Sequence, residues 1–263
     1  MARERTYRSE GIILRRSDFG EADRLLTIFT RDFGKLRAIA KGTRKPQSRK
    51  TGHVELFMRT NFFFARGREL DIVTQAEMIA SYEALRRDLV RTTYASYAVE
   101  LLDRFVVDRD RHLNLYNLLA AALEWFSTAP DVRLAARYYE LRLLSYAGYQ
   151  PELFRCLGSG EPIKEEDQFF SAELGGLLSA GYAGRDPRAR PVSAAAVKVM
   201  RYLQTRPWEE VHRLRLRPAL QRELETLLFH YLAYHLERNL KSVEFLIRLR
   251  REARLFAPAD EEE

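Results

Sequence analysis

Two periods divide the chain. Up to about residue 80, apolar positions recur at every second residue. In KLRAIAK (35–41), Leu36, Ala38 and Ala40 share one face, and Lys35, Arg37, Ile39 and Lys41 share the other. ELDIVTQAEM (69–78) also alternates. It predicts a strand that buries Leu70, Ile72, Thr74, Ala76 and Met78 and exposes Glu69, Asp71, Gln75 and Glu77. EGIILRR (10–16), DRLLTIFTR (23–31) and HVELFMRTNFFFAR (53–66) are apolar, β-branched or aromatic runs of strand length. Turn signals separate them: DFGE (18–21), DFGK (32–35), GTRKPQSRKTG (42–52) and RGRE (66–69). Five strands within about 75 residues predict a small closed barrel, because an open sheet leaves two edges unpaired.

From Ser81 the period becomes helical, with Ser81 as N-cap and Glu83 in the first turn. Leu85, Leu89, Thr93, Tyr97, Leu101 and Phe105 mark one face of a helix over 85–107. Further helices are predicted at 114–126, 131–149, 193–205, 217–238 and 240–253, with Gly148 stopping the third pattern. Residues 150–192 hold six glycines and four carboxylates at 161–167, which predicts loops and a short hairpin. The tail at 254–263 is acidic and expected to fray. The fold class is therefore α+β in two parts. A five-stranded barrel (1–80) is followed by an all-α domain (81–253) with an irregular insertion.

Charge sharpens this division. Residues 1–80 hold 17 Lys and Arg against 10 Asp and Glu, a surplus of seven. The remaining residues hold 27 of each. The whole net charge of +7 sits in the barrel module. Attraction of this kind fades over roughly 8–10 Å at physiological salt, so its location matters more than its total. The densest stretch is KLRAIAKGTRKPQSRK (35–50), where seven of sixteen residues are cationic and none is acidic. Lys35, Arg37 and Lys41 share a strand face that leads into Arg44, Lys45, Arg49 and Lys50; Arg15, Arg16, Arg66 and Arg68 belong to the same module. Such a surface favours a polyanion over plain solvation, because packed like charges repel until an anion relieves them. Tyr7, Phe57, Phe62, Phe63 and Phe64 can stack on unpaired bases or fill the barrel. Alternation sends Phe63 to the side opposite Phe62 and Phe64, and most of these rings are assigned to the core.

Other chemistry finds little support. The five histidines are scattered, and H-E-x-x-H, G-x-S-x-G and G-x-G-x-x-G patterns are missing. The expectation is a binding protein and not an enzyme. A single cysteine, Cys156, excludes an internal disulfide and suits a reducing cytoplasm. No apolar run approaches the ~20 residues that span a bilayer, and the N-terminus lacks the apolar stretch of a secretory signal.

The stretch EGIILRRSDFGEADRLLTIFTRDFGKLRAIAKGTRKPQSR (10–49), with its G-E-x-D-R-L and G-K-L-x-x-x-A-K-G-x-R segments, resembles the RecO family of recombination-mediator proteins. RELDIVTQAE (68–77), LRRDLVRTTYASYAVELLD (85–103) and NLKSVEFL (239–246) extend the resemblance over nearly the whole chain. It implies an N-terminal OB-fold, a helical C-terminal domain and DNA binding without turnover. It further implies annealing of complementary strands, action on DNA coated by single-stranded-DNA-binding protein, and work with RecR in loading RecA. The DNA-contact role carried onto matching positions falls on Lys35, Arg37, Lys41, Arg44, Lys45 and Arg49. Many family members also carry a C-x-x-C…C-x-x-C zinc ribbon. Here the four positions hold Cys156, Ser159, Ser179 and Tyr182, so no zinc or other cofactor is expected. Two further readings stay open: a scaffold whose basic barrel binds an acidic protein tail, and an RNA-binding protein.

Overall fold

The computed structural model describes residues 5–45 and 51–236. Arg49, Lys50, the helix expected at 240–253, the NLKSVEFL segment and the acidic tail lie outside them. By its internal contacts the chain forms two compact units, Met1–Thr128 and Ala129–Glu263.

The first unit begins with five strands: β1 (Thr6–Phe19), β2 (Asp23–Thr30), β3 (Gly34–Ala40), β4 (Arg59–Ala65) and β5 (Asp71–Ala80). They close a barrel in the order β1-β2-β3-β5-β4, with β4 pairing back onto β1. The neighbours are antiparallel except β3 and β5, which run parallel. This is the OB-fold arrangement. Alternation works as expected on β3 and β4: Leu36, Ala38, Ala40, Phe62 and Phe64 fill the barrel with Tyr7, Ile13, Leu26, Ile28, Val54, Met58 and Val73. Phe57 is buried as well, so of the five rings only Phe63 keeps partial exposure.

Strand β5 does not keep the expected phase. Asp71 and Val73 point inward, whereas Met78 is exposed. Phe63 pairs with Gln75 but Phe64 with Val73, so Thr74 is an extra residue, a bulge that switches the faces midway. Inward Asp71 is held by three donors: the Tyr7 hydroxyl, the Arg109 guanidinium at 2.8 Å and the Gly67 N–H at 3.3 Å. A carboxylate assigned to solvent from the pattern is a buried anchor.

The helical stretch after the barrel also differs in detail. Helix α1 (Glu83–Arg87) and helix α2 (Leu89–Phe105) are separate. Tyr82, in a left-handed conformation, precedes α1, and Ser81 does not cap it. Asp88 caps α2 by accepting the Arg91 N–H at 3.0 Å. The break rotates Leu89 out to solvent, while Leu85, Thr93, Tyr97 and Leu101 are buried as the spacing predicts. Helix α3 (Leu113–Thr128) sets Tyr116 against the barrel, where its hydroxyl donates to Glu10 Oε1 at 2.8 Å. Contacts of this kind carry the compact unit beyond the change of period at 80/81.

The second unit centres on helix α4 (Val132–Tyr146), capped by Asp131 and buried on most sides, packed with helices α5 (Ala194–Thr205) and α7 (Pro218–Leu236). Gly148, at φ +85°, takes the left-handed position just past its end. A short helix α6 (Trp208–Val211) has no counterpart in the sequence reading. The insertion is more ordered than loops and one hairpin. Strands β6 (Gln168–Ser171), β7 (Gly176–Leu178) and β8 (Arg190–Val192) form a three-stranded antiparallel sheet with β6 central.

Candidate nucleic-acid interface

The barrel sorts its cations by the company they keep. On the outer face of β3, Lys35 is only 14% exposed. Its ammonium donates to Asp103 Oδ1 at 2.9 Å and lies 3.3 Å from Asp108. Arg15 pairs with the same Asp103. Arg16 and Arg24 share Glu55, at 2.6 and 2.8 Å. Arg59 and, more distantly, Arg31 meet Glu10. These guanidinium and ammonium groups hold the barrel and its first helices together.

Gly34 makes this docking possible. Its φ is +66°, and a Cβ there would lie 2.0 Å from the carbonyl oxygen of Asp110. The segment after α2 therefore lies directly along β3: Arg109 N–H donates to the Lys35 carbonyl at 2.7 Å. The Gly-Lys pair of the G-K-L segment is explained by this contact and by the Lys35 ion pairs, without invoking a ligand.

Arg37, Lys41 and Lys45 behave differently. All three are exposed, and none has an ion-pair partner among the described residues. Arg37 sits in register with Thr27 on β2, which pairs with Arg15 on β1, so the outward row crosses three strands. Lys41 and Lys45 continue from the end of β3 into the turn that follows. Arg44 is intermediate: 3.4 Å from Asp18 and 38% exposed. Arg66 is exposed at the far end of β4, its guanidinium 4.7 Å from the centroid of the Tyr7 ring.

The phenols are structural. Burial first, then the hydrogen bond to Asp71, raises Tyr7; burial and the bond to Glu10 raise Tyr116. Both stay protonated donors at any physiological pH.

In the second unit the four zinc-ribbon positions lie near one another. Cys156 is buried, with Ser179 Oγ 3.3 Å from its sulfur, and the N–H groups of Gly158 and Ser179 also point at the sulfur, each at 3.3 Å. Ser159 Oγ accepts the Glu161 N–H at 3.2 Å, and the Tyr182 side chain packs on Gly158. Burial pushes the Cys156 thiol up, but hydrogen bonds from Ser179 and Ser159 outweigh it and bring the thiol down to about 6. One sulfur, two hydroxyls and a phenol do not make a structural zinc site, which needs four thiolate or imidazole ligands. No group of three or more His, Cys, Asp or Glu suited to a metal occurs among the described residues.

An OB-type barrel with a cationic outer row, joined to a helical unit, is the class that fold and site define. Comparison with known proteins gives the family. Residues 1–82 match the family described as "Recombination protein O N terminal", and residues 86–244 match "Recombination protein O C terminal". The chain is 44% identical to the DNA repair protein RecO of Roseiflexus sp. (strain RS-1), covering 98% of this chain and 90% of that protein. It is 39% identical to the DNA repair protein RecO of Desulforudis audaxviator, covering 91% and 96%. For that of Desulforamulus reducens the identity is 36%, covering 92% and 94%. The chain belongs to the recombination protein O (RecO) family.

Proposed function

We propose that this chain is a DNA-repair recombination mediator that binds DNA through its phosphates and carries out no catalytic turnover. Family membership supports the repair role. The observation that carries the DNA contact is the set of open cations, Arg37, Lys41 and Lys45, with Arg44 beside them, on the outer face and following turn of β3. Phosphate contacts position a strand without reading its sequence, so binding is expected to be nearly sequence-independent, to single and double strands alike.

Annealing follows from the same geometry. Two complementary strands repel through their phosphates. A cationic row that takes up backbone charge and leaves base edges free lowers that repulsion while pairing proceeds. On this reading the chain anneals complementary strands and, with RecR, helps RecA replace single-stranded-DNA-binding protein on coated DNA. It works in the cytoplasm, and no helix among the described residues is long and apolar enough to cross a membrane. It holds no zinc; stoichiometric zinc in the purified protein would overturn that part.

A salt titration tests the DNA contact. For single strands, log affinity falls with log salt at about 0.7 per contacted phosphate. The triple variant R37A/K41A/K45A is expected to lower that slope by about 2. A slope equal to that of the parent chain would remove the assignment, and tight binding of an acidic peptide at the same cations would favour the scaffold reading.

A further inference from the structure

The β1–β4–β5 side of the barrel carries a second cluster of outward-facing residues, away from the open cations of β3. In the ring of strands, β4 is separated from β3 by β5 on one side and by β1 and β2 on the other. Register places Arg8, Phe63 and Gln75 abreast on β1, β4 and β5, with Asn61 two residues from Phe63 on the same face. These residues line a groove of about 550 Å³. Unlike Tyr7, Phe57, Phe62 and Phe64, Phe63 is not absorbed by the core, and the Arg8 guanidinium sits 5.5 Å from its ring centroid. The side chains of Asn61 and Gln75 are exposed and have no hydrogen-bond partner among the described residues.

Charge selects the occupant. The groove is also lined by Glu10, Asp32 and Glu77, which balance Arg8, Arg31 and Arg111. With carboxylates and guanidinium groups in balance, the groove offers no net attraction to an acidic peptide or a bare run of phosphates. A neutral, flat, hydrogen-bonding group suits the site: Phe63 and Arg8 offer stacking surfaces, and two free amides beside them offer donors and acceptors to a base edge.

We propose that this groove holds an unpaired nucleobase of a single strand, stacked on Phe63 and held by Asn61 and Gln75. It rests on the reading that the chain binds DNA and adds a second contact with a different chemistry. One barrel then engages one strand by its phosphates and another by a flipped-out base. A duplex, whose bases are stacked and paired, has nothing to offer this groove.

The test uses the full chain and an oligothymidylate carrying one 2-aminopurine, whose fluorescence is quenched on stacking. The parent chain is expected to quench it. F63L is expected to restore the fluorescence and weaken single-strand binding roughly 5- to 100-fold, with duplex affinity and salt slope unchanged. N61A/Q75A, which alters only exposed side chains, carries the test should F63L fold poorly, and is expected to weaken single-strand binding without touching duplex binding. The open-cation triple variant is expected to lose salt slope yet keep the quench at saturation. Unchanged quench and affinity in both F63L and N61A/Q75A would overturn the inference while leaving phosphate binding intact. So would equal affinity for an abasic oligonucleotide. Absence of any DNA binding by the parent chain would overturn both readings.

Discussion

Lys35 and Arg37 stand two residues apart on one strand and share its outer face, yet they have different surroundings. Lys35 is nearly buried between Asp103 and Asp108, whereas Arg37 faces solvent with no ion-pair partner among the described residues. The same contrast runs through the barrel. Arg15, Arg16, Arg24, Arg59 and Arg109 are each paired with Asp103, Glu55, Glu10 or Asp71, although Arg15, Arg16 and Arg109 still face solvent on one side; Arg37, Lys41 and Lys45 have no ion-pair partner among the described residues. A cation already neutralised by its own chain has little attraction left for a phosphate. Counting positive residues therefore overstates the charge left open to a phosphate, and their partners delimit it.

The largest break in this comparison is expected where a locking carboxylate is deepest. Asp71 is 3% exposed and accepts from Tyr7, Arg109 and Gly67. Asp71→Ala strands a buried hydroxyl and an N–H, and frees half of an ion pair. The expected loss is about 3 kcal/mol of unfolding free energy in urea, with a correspondingly lower Tm. The open cations lie elsewhere, so the folded fraction is expected to bind DNA with an unchanged salt slope. A loss below about 1 kcal/mol would mean that these contacts do not lock the barrel.

The next test sets the two neighbours against each other. Lys35→Ala leaves Asp103 with one fewer charged donor, at an expected cost of about 2 kcal/mol in stability and no change in salt slope. Arg37→Ala touches nothing buried. It is expected to stay within about 0.5 kcal/mol in stability and to lower the slope by about 0.7. The crossed pattern is the point: if Lys35→Ala lowered the slope as Arg37→Ala does, the locked and open classes would collapse into one.

These two residues also show how far the sequence can be read. Alternation over 35–41 correctly separates the inside of β3 from its outside, because a strand's period is a local property of the backbone. The barrel, its strand count and helices α2, α3, α4, α5 and α7 are legible for the same reason. What a local pattern cannot carry is the partner. Asp103 lies 68 residues from Lys35 and 88 from Arg15, and nothing in KLRAIAK announces it. The expectation that Lys35 and Arg15 contact DNA treated them as free. Likewise the bulge at Thr74 turns Asp71 inward, and a single extra residue in one strand leaves no mark in an otherwise regular alternation. Asp88 displaced Ser81 as the helix cap because the chain breaks between α1 and α2, a decision taken by packing.

The smallest expected effect concerns the residue between the two classes. Arg44 approaches Asp18 at 3.4 Å, with both side chains well exposed, 38% and 63%. Exposed pairs of this kind contribute about 0–1 kcal/mol. Asp18→Asn is therefore expected to leave stability within about 0.5 kcal/mol and to move Arg44 into the open class, raising single-strand affinity about two-fold at low salt. Removing a negative charge anywhere near the strand would raise affinity somewhat, so the single variant does not settle the cause. Repeating Asp18→Asn in an Arg44→Ala background separates the two. The general charge effect persists there, whereas the part that depends on releasing Arg44 disappears. An equal gain in both backgrounds would place Arg44 among the open cations from the start, and the ion pair with Asp18 would have no bearing on DNA.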